Sequence, residues 1–153
     1  MNFNITDMQA AVGCVQLKKF SGFVESRRHN FEMLLSGLQE VQDKFILPEP
    51  CPGSKPSWFG FLLTCREGVQ RERVVRYLEE HGIQTRMLFA GNLIKHPCFD
   101  ELRRTGDGYR VVGSLEYTDR LMKDTFWGGV CPGLTEAKLT CMIESIRKAV
   151  GVV

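Results

Sequence analysis

The residues best suited to chemistry lie in one segment, residues 85–92, which reads Thr-Arg-Met-Leu-Phe-Ala-Gly-Asn. A guanidinium such as that of Arg86 can hold a phosphate through two parallel hydrogen bonds, and the Asn92 amide can bond sugar hydroxyls. Gly91 would allow a ligand to approach the backbone closely. The pattern indicates an anion or sugar site, although a surface arginine followed by a glycine turn is the simpler interpretation of these residues taken alone.

Two other short segments carry candidate binding residues. Trp58 and Phe59 follow a Pro-Ser pair and could stack on a sugar or a base, although aromatic residues in strands belong more often to the core. Asp119 and Arg120 fall in a short predicted helix. Taken alone, these two residues indicate a simple surface pair.

No complete catalytic constellation is recognisable in the sequence. The chain has no G-x-S-x-G, H-E-x-x-H, P-loop or G-x-G-x-x-G motif. Its three histidines are far apart in sequence, at positions 29, 81 and 96. The six cysteines, at 14, 51, 65, 98, 131 and 141, show no C-x-x-C spacing. They predict buried free thiols in a reducing compartment, and no metal site made from cysteines alone.

Composition is that of an ordinary globular domain. The 153 residues suit one domain with a real core, with 43% hydrophobic and 25% charged residues. A formal net charge of +2 is too small to argue for a nucleic acid or an acidic membrane as partner. No apolar run reaches the roughly 20 residues of a membrane span, and no signal peptide opens the chain. The expected location is therefore the cytoplasm.

Hydrophobic periodicity predicts which elements must position these residues. A helix capped by Thr6 is expected over residues 7–19, with Met8, Ala11, Val12 and Val15 facing inward, and a second helix capped by Ser21 is expected to about residue 39. Residues 48–56, rich in proline, predict a loop.

The remainder of the chain alternates predicted strands and helices. Strands are expected at 58–65, 83–87 and 125–130, the first of them covered on both faces because it is almost wholly apolar. Helices are expected at 70–81 and 114–122 and after a Thr135 cap, and residues 88–113 form a long irregular segment. The predicted fold is α+β, with about three strands packed against helices on one side.

Four segments carry a family resemblance when they are taken together. They are residues 2–13 (Asn-Phe-Asn-Ile-Thr-Asp-Met-Gln-Ala-Ala-Val-Gly), 56–61 (Pro-Ser-Trp-Phe-Gly-Phe), 85–92, and 109–135 with its Asp-Thr-Phe-Trp and Pro-Gly-Leu-Thr stretches. The combination resembles the DegT–DnrJ–StrS family of vitamin B6-dependent sugar aminotransferases and dehydrases. It is most similar to the CDP-4-keto-6-deoxyglucose 3-dehydrases. The first segment departs from the family pattern, since Met1 stands where tyrosine is usual and the preceding glycine is absent.

The resemblance implies the small C-terminal domain of a fold-type I enzyme that is usually dimeric, with active sites at the subunit interface. Residues 1–40 would be a helical segment joining a missing large domain, and residues 41–153 would be the small domain. The implied cofactor is pyridoxamine or pyridoxal phosphate, with a two-iron two-sulfur cluster whose ligands lie outside this chain. A reductase would be the partner, and the product would lead to the 3,6-dideoxyhexoses of bacterial O-antigen.

The resemblance also implies seven site residues and no catalytic residue in this chain. The family's catalytic His or Lys and its cluster cysteines lie upstream, so the isolated chain is predicted to be inactive. Two asparagines would reach the cofactor phosphate of the neighbouring subunit, and five residues would lie along the nucleotide sugar. The cofactor residues are Asn2 and Asn4; Phe59 and Arg120 would be near the cofactor–sugar adduct, and Arg86, Phe89 and Asn92 would be in a loop that closes over the nucleotide sugar.

Three hypotheses remain open from the sequence. The chain can be the C-terminal part of a nucleotide-sugar 3-dehydrase or of a keto-sugar aminotransferase of the same family, which an upstream His or Lys would separate. It can also be a sugar-binding or interaction module without chemistry. The third hypothesis fits the first predicted helix poorly, because a helix that is apolar on most faces needs cover on both sides.

Overall fold

A computed structural model of the chain describes residues 5–151, so that Asn2 and Asn4 lie outside the described residues. Within this range the chain forms five α-helices and four strands. The helices are α1 (Asp7–Gly37), α2 (Arg71–Glu80), α3 (Asp100–Thr105), α4 (Glu116–Asp124) and α5 (Glu136–Ala149), and the strands are β1 (Phe45–Ile46), β2 (Gly60–Cys65), β3 (Thr85–Met87) and β4 (Thr125–Gly129).

The strands form one antiparallel sheet in the order β1-β2-β4-β3. In β4, Trp127 pairs with Leu62 of β2 and with Arg86 of β3. The predicted α+β class is confirmed, and the three predicted strands are present. The described residues add a fourth strand, β1, which is too short to show an alternating pattern in the sequence.

Helices cover one face of the sheet, which we call the inner face. Directly opposed residues of an antiparallel pair share a face, so Leu63 and Phe126 both point inward. They belong to a buried core with Leu34 of α1, Leu78 of α2 and Ile146 of α5. This core anchors α2 and α5, whose predicted positions are confirmed, and the Thr135 side chain caps α5 as expected.

The opposite face, which we call the outer face, is only partly covered. Leu62, Thr64 and Trp127 are half-buried there, while Arg86 is exposed. The prediction that the strand at 58–65 is covered on both faces is therefore wrong for this chain. Among the described helices, α4 contacts both β2 and β4.

The N-terminal region forms one helix of 31 residues rather than the two predicted. Ser21 does not begin a new helix: α1 continues through Ser21 and Gly22, although a glycine inside a helix costs about 1 kcal/mol relative to alanine. Thr6 and Gln9 form the predicted capping box. The prediction that Met8, Ala11, Val12 and Val15 face inward is wrong here: all four are exposed, and the buried residues of α1 start only at Asn30.

The cysteines also differ from their predicted state. All six are free, as expected, but only Cys65 is buried, and the other five are exposed. Cys65 is buried because it lies on the inner face at the end of β2, opposite Phe45.

The helices also bear on membrane association. Within residues 5–151, none of the helices combines the length and the apolar composition that a membrane crossing requires.

Candidate functional site

Trp127 organises the open part of the outer face. Its indole N–H donates a hydrogen bond to the Met87 carbonyl oxygen at 3.2 Å. Its ring lies directly over Gly60, where an added Cβ would come within 2.6 Å of the indole Cε3. A side chain at position 60 would therefore displace the indole, so that the glycine is required for this close packing.

Phe59 and Arg86 flank this indole. The Phe59 ring meets the Trp127 ring edge-on, with centroids 5.3 Å apart and planes at 86°, and Phe59 remains 57% exposed. Arg86 is the direct cross-strand neighbour of Trp127. We call Phe59, Arg86 and Trp127 the aromatic shelf. It offers an exposed aromatic ring for stacking and a guanidinium for an anion on the same face.

The loop that follows β3 is tied to α4 around Asn92. Asn92 is only 3% exposed, and its side-chain amide donates to Asp119 Oδ1 at 2.7 Å. Lys95 donates to the other carboxylate oxygen, Oδ2, also at 2.7 Å. The hydrogen bonds from Lys95 and Asn92 lower the pKa of Asp119 below its ordinary value of 3.8. We call Asn92, Lys95 and Asp119 the clasp.

Backbone geometry shows how tightly the loop approaches α4. Gly91 has a φ of 61°, and a Cβ there would come within 2.4 Å of the Met122 Cγ. Phe89 is the one non-glycine residue of the described chain with a positive φ, at 46°, and it is 75% exposed. The loop therefore presents an aromatic side chain to the surface from a backbone conformation that is unfavourable for phenylalanine.

Arg120 lies away from the shelf. It lines a cleft of about 600 Å³ with Arg71, Lys123 and the C-terminal end of β2 at Cys65. Phe59 precedes the other end of β2, and six strand residues at about 3.3 Å each separate the two ends by roughly 20 Å. The structure thus brings Phe59 and Arg86 together, holds Phe89 and Asn92 on the adjoining loop, and places Arg120 elsewhere.

Sequence reasoning did not single out Trp127, Asp119 or Lys95 as parts of the site. Trp127 lies in the Asp-Thr-Phe-Trp stretch that carries the family resemblance, which was the available signal. Asp119 was interpreted with Arg120 as a surface pair, although its carboxylate contacts the loop instead. The contact joins residues 27 positions apart, and no local pattern shows it.

The described residues contain no evident metal centre. Within residues 5–151, no group of three or more His, Cys, Asp or Glu side chains is placed to hold a metal ion. The two residues expected at a cofactor phosphate, Asn2 and Asn4, precede the described range. Their side-chain amides are suitable donors for phosphate oxygens.

Comparison with known proteins gives one family and several relatives. The profile of the DegT/DnrJ/EryC1/StrS aminotransferase family matches residues 1–147. The chain is 47% identical to the lipopolysaccharide biosynthesis protein RfbH of Salmonella typhimurium, over 98% of this chain and 34% of that protein. It is 40% identical to the dTDP-4-dehydro-2,6-dideoxy-D-glucose 3-dehydratase of Saccharopolyspora spinosa, over 97% of this chain and 31% of that protein.

A solved structure supports the same relationship. The fold matches that of a GDP-4-keto-6-deoxymannose-3-dehydratase mutant with bound GDP-perosamine, with a TM-score of 0.78 and 26% identity. The match covers 91% of this chain and 35% of that chain. The chain therefore spans about a third of the length of the relatives it matches.

Proposed function

The chain belongs to the DegT/DnrJ/EryC1/StrS aminotransferase family, and we propose that it is the C-terminal part of a nucleotide-sugar 3-dehydrase that uses pyridoxamine phosphate. The proposed reaction removes the C3 hydroxyl of CDP-4-keto-6-deoxyglucose on the route to the 3,6-dideoxyhexoses of O-antigen. The observation that carries this proposal is the exposed aromatic shelf in a chain that is 40% identical to a named sugar 3-dehydratase.

The shelf suits a nucleotide sugar for physical reasons. The exposed Phe59 ring can pack on the apolar face of a sugar, and Arg86, which has no ion-pair partner among residues 5–151, can accept a phosphate. Phe89 would pack beside them on the adjoining loop. We keep Arg120 as a proposed contact near the cofactor–sugar adduct, a role in which it would act apart from the shelf.

The cofactor would be held largely outside the described residues. Asn2 and Asn4 would donate amide hydrogen bonds to its phosphate. Pyridoxamine phosphate, when bound, supplies the amine and the electron sink that make loss of a sugar hydroxyl feasible. The catalytic His, the two-iron two-sulfur cluster and the contact with a reductase would lie in other parts of a longer protein.

The exposed N-terminal half of α1 supports the proposed organisation. Residues 1–40 would join a large domain, and residues 41–153 would form the small domain of a cytoplasmic homodimer. The apolar side chains Met8, Val12 and Phe20 are uncovered in this chain and would be covered by that domain or by a second subunit.

Activity measurements test the proposal. The longer protein, supplied with pyridoxamine phosphate and a reductase, should consume CDP-4-keto-6-deoxyglucose, as followed by mass spectrometry. The isolated chain should consume none. Turnover by the isolated chain would contradict the fragment proposal, and no turnover by the longer protein would contradict the 3-dehydrase proposal.

A keto-sugar aminotransferase is the second candidate, because the family is named for that activity. The coding DNA upstream of Met1 separates the two. A His at the cofactor position together with a set of cysteines would support the dehydrase, whereas a Lys without those cysteines would support the aminotransferase. A stop codon and ribosome-binding site directly ahead of Met1 would instead favour a module without chemistry.

A further inference from the structure

Asn92 is poorly placed to form a hydrogen bond with a sugar hydroxyl. Its side chain is buried, and its amide nitrogen is already engaged with Asp119 Oδ1 at 2.7 Å. Its backbone N–H points to the Met122 sulfur at 3.4 Å. A substrate hydroxyl could reach this amide only if the loop left α4.

Asp119 links the loop to α4 through two side-chain hydrogen bonds. Both of its carboxylate oxygens are used, one by Asn92 and one by Lys95, and both partners belong to the loop. The carboxylate is ionised at neutral pH, and the hydrogen bonds from Lys95 and Asn92 favour this form by lowering its pKa below the ordinary value of 3.8. Hydrogen bonds to an ionised group are stronger than neutral ones, so one side chain fixes two positions of the loop.

The loop held in this way carries one residue expected at the substrate, and the strand that leads into it carries another. Phe89 lies three residues before Asn92, and Arg86 lies on the strand that enters the loop. The positive φ of Phe89 persists only while surrounding contacts hold the backbone in place. Release of the loop from α4 would therefore let the Phe89 backbone relax and move the Phe89 side chain away from the aromatic shelf.

We propose that Asp119 is a positioning residue of the nucleotide-sugar site. Through Asn92 and Lys95 it holds the loop that presents Phe89 beside the aromatic shelf, and Asn92 acts through Asp119 without touching the sugar. The inference rests on the proposed function for its substrate and on the clasp geometry for its mechanism.

The test uses the longer protein and two readouts, the Michaelis parameters for the nucleotide keto sugar and amide hydrogen exchange across residues 88–96. Asp119→Ala should raise KM about tenfold while kcat changes less than about twofold, which is the effect expected from the loss of charge-assisted hydrogen bonds. Exchange across the loop should accelerate by a similar factor. Glu116→Gln, an exposed acid on the same helix, is the matched control and should change neither readout.

A rescue experiment separates positioning from direct contact. The double variant Asn92→Asp with Asp119→Asn puts the carboxylate on the loop and the amide on the helix. It should restore part of the loop protection and bring KM below that of Asp119→Ala, since the hydrogen bond between positions 92 and 119 forms in the reverse direction while Lys95 loses its ionised partner. Asn92→Asp alone opposes two carboxylates and should be at least as damaging as Asp119→Ala.

Three results would overturn the inference. If Asp119→Ala has the KM and the amide hydrogen exchange of the wild type, the clasp positions nothing. If its KM is raised while amide hydrogen exchange is unchanged, Asp119 contacts the sugar directly. If the double variant regains protection of the loop from hydrogen exchange but keeps the raised KM of Asp119→Ala, Asn92 contacts the sugar. If the wild-type protein consumes no nucleotide sugar, the proposed function fails, and hydrogen exchange alone then decides whether Asp119 holds the loop.

Discussion

At the residue scale, the site depends on the Trp127 indole packing into the space that a side chain at position 60 would fill. Gly60→Ala would place a methyl group 2.6 Å from the Trp127 ring. Overpacking of this kind costs about 1–3 kcal/mol of unfolding free energy, and the indole must rotate away from the Met87 carbonyl oxygen. We expect a lower urea midpoint and altered Trp127 fluorescence, measured in a Trp58→Phe background because the chain has two tryptophans.

Gly129→Ala is the matched control for this substitution. Gly129 pairs directly with Gly60 across the strands, and a Cβ there would meet nothing within 4 Å. It should leave both the urea midpoint and the fluorescence close to those of the parent. Equal effects of the two substitutions would show that loss of strand glycine matters and that the indole contact does not.

A second residue-scale prediction concerns Cys65. Burial raises the pKa of its thiol from 9.0 to about 11, so the thiolate that reacts with electrophiles is scarce in the folded state. At pH 8 a thiol reagent should label five cysteines of the isolated chain rapidly and the sixth only on unfolding. Peptide mapping should identify the slow residue as Cys65, and rapid labelling of all six would contradict its burial.

The same shift predicts how stability depends on pH. The folded state keeps the Cys65 proton to higher pH than the unfolded chain does, so its contribution is fully present below pH 9 and is lost as pH rises toward about 11. Between pH 8 and pH 10, the urea midpoint should fall less in Cys65→Ala than in the parent. Cys141→Ala, which removes an exposed thiol, should behave like the parent.

At the scale of elements, helix α5 depends on its cap. The Thr135 hydroxyl accepts a hydrogen bond from the Lys138 N–H at 3.4 Å. Thr135→Ala should lower the unfolding free energy by about 1 kcal/mol, because α5 packs across the core and fraying at its start loosens Leu139. Thr140→Ala, at an exposed position within the helix, should be neutral or slightly stabilising, because alanine is the better helix former.

Local pattern accounts for most of these elements. Helices α2 and α5 and strands β2 and β4 have strong periodicity or apolar runs, and their predicted bounds agree closely with the structure. Helix α3 was hidden in a segment that looked irregular, because it has six residues and ends at the left-handed Gly106. Its acidic first turn and basic last turn were the available signals.

The site was predictable in residue type but not in arrangement. Arg86 stands out locally as an arginine at the end of a predicted strand, and Phe59 as an aromatic residue after a Pro-Ser pair, although local pattern favoured a core position for Phe59. Trp127 lies beside both residues because of the register between strands, and β3 and β4 are about 40 residues apart in the chain. Short-range pattern does not determine the register between such distant strands. The same reason explains why no local pattern indicates the hydrogen bond between Asn92 and Asp119.

At the scale of the whole molecule, α1 divides into a packed half and an uncovered half. Its 31 residues span about 46 Å at 1.5 Å per residue, and its buried residues, Asn30, Phe31 and Leu34, all lie near its C-terminal end. Toward the N-terminus, Met8, Val12 and Phe20 are all more than half exposed. An apolar surface of this extent favours association.

We therefore expect the isolated chain to self-associate, and sedimentation velocity should show a weight-average mass that rises with concentration. Val12→Lys combined with Phe20→Lys should abolish the rise without lowering the thermal midpoint, because both side chains are exposed and lie outside the core. Gln16→Lys with Ser21→Lys adds the same charge at exposed polar positions of α1 and is the matched control. A monomeric parent in which residues 1–19 resist protease would contradict the prediction, since α1 would then be stable without any cover.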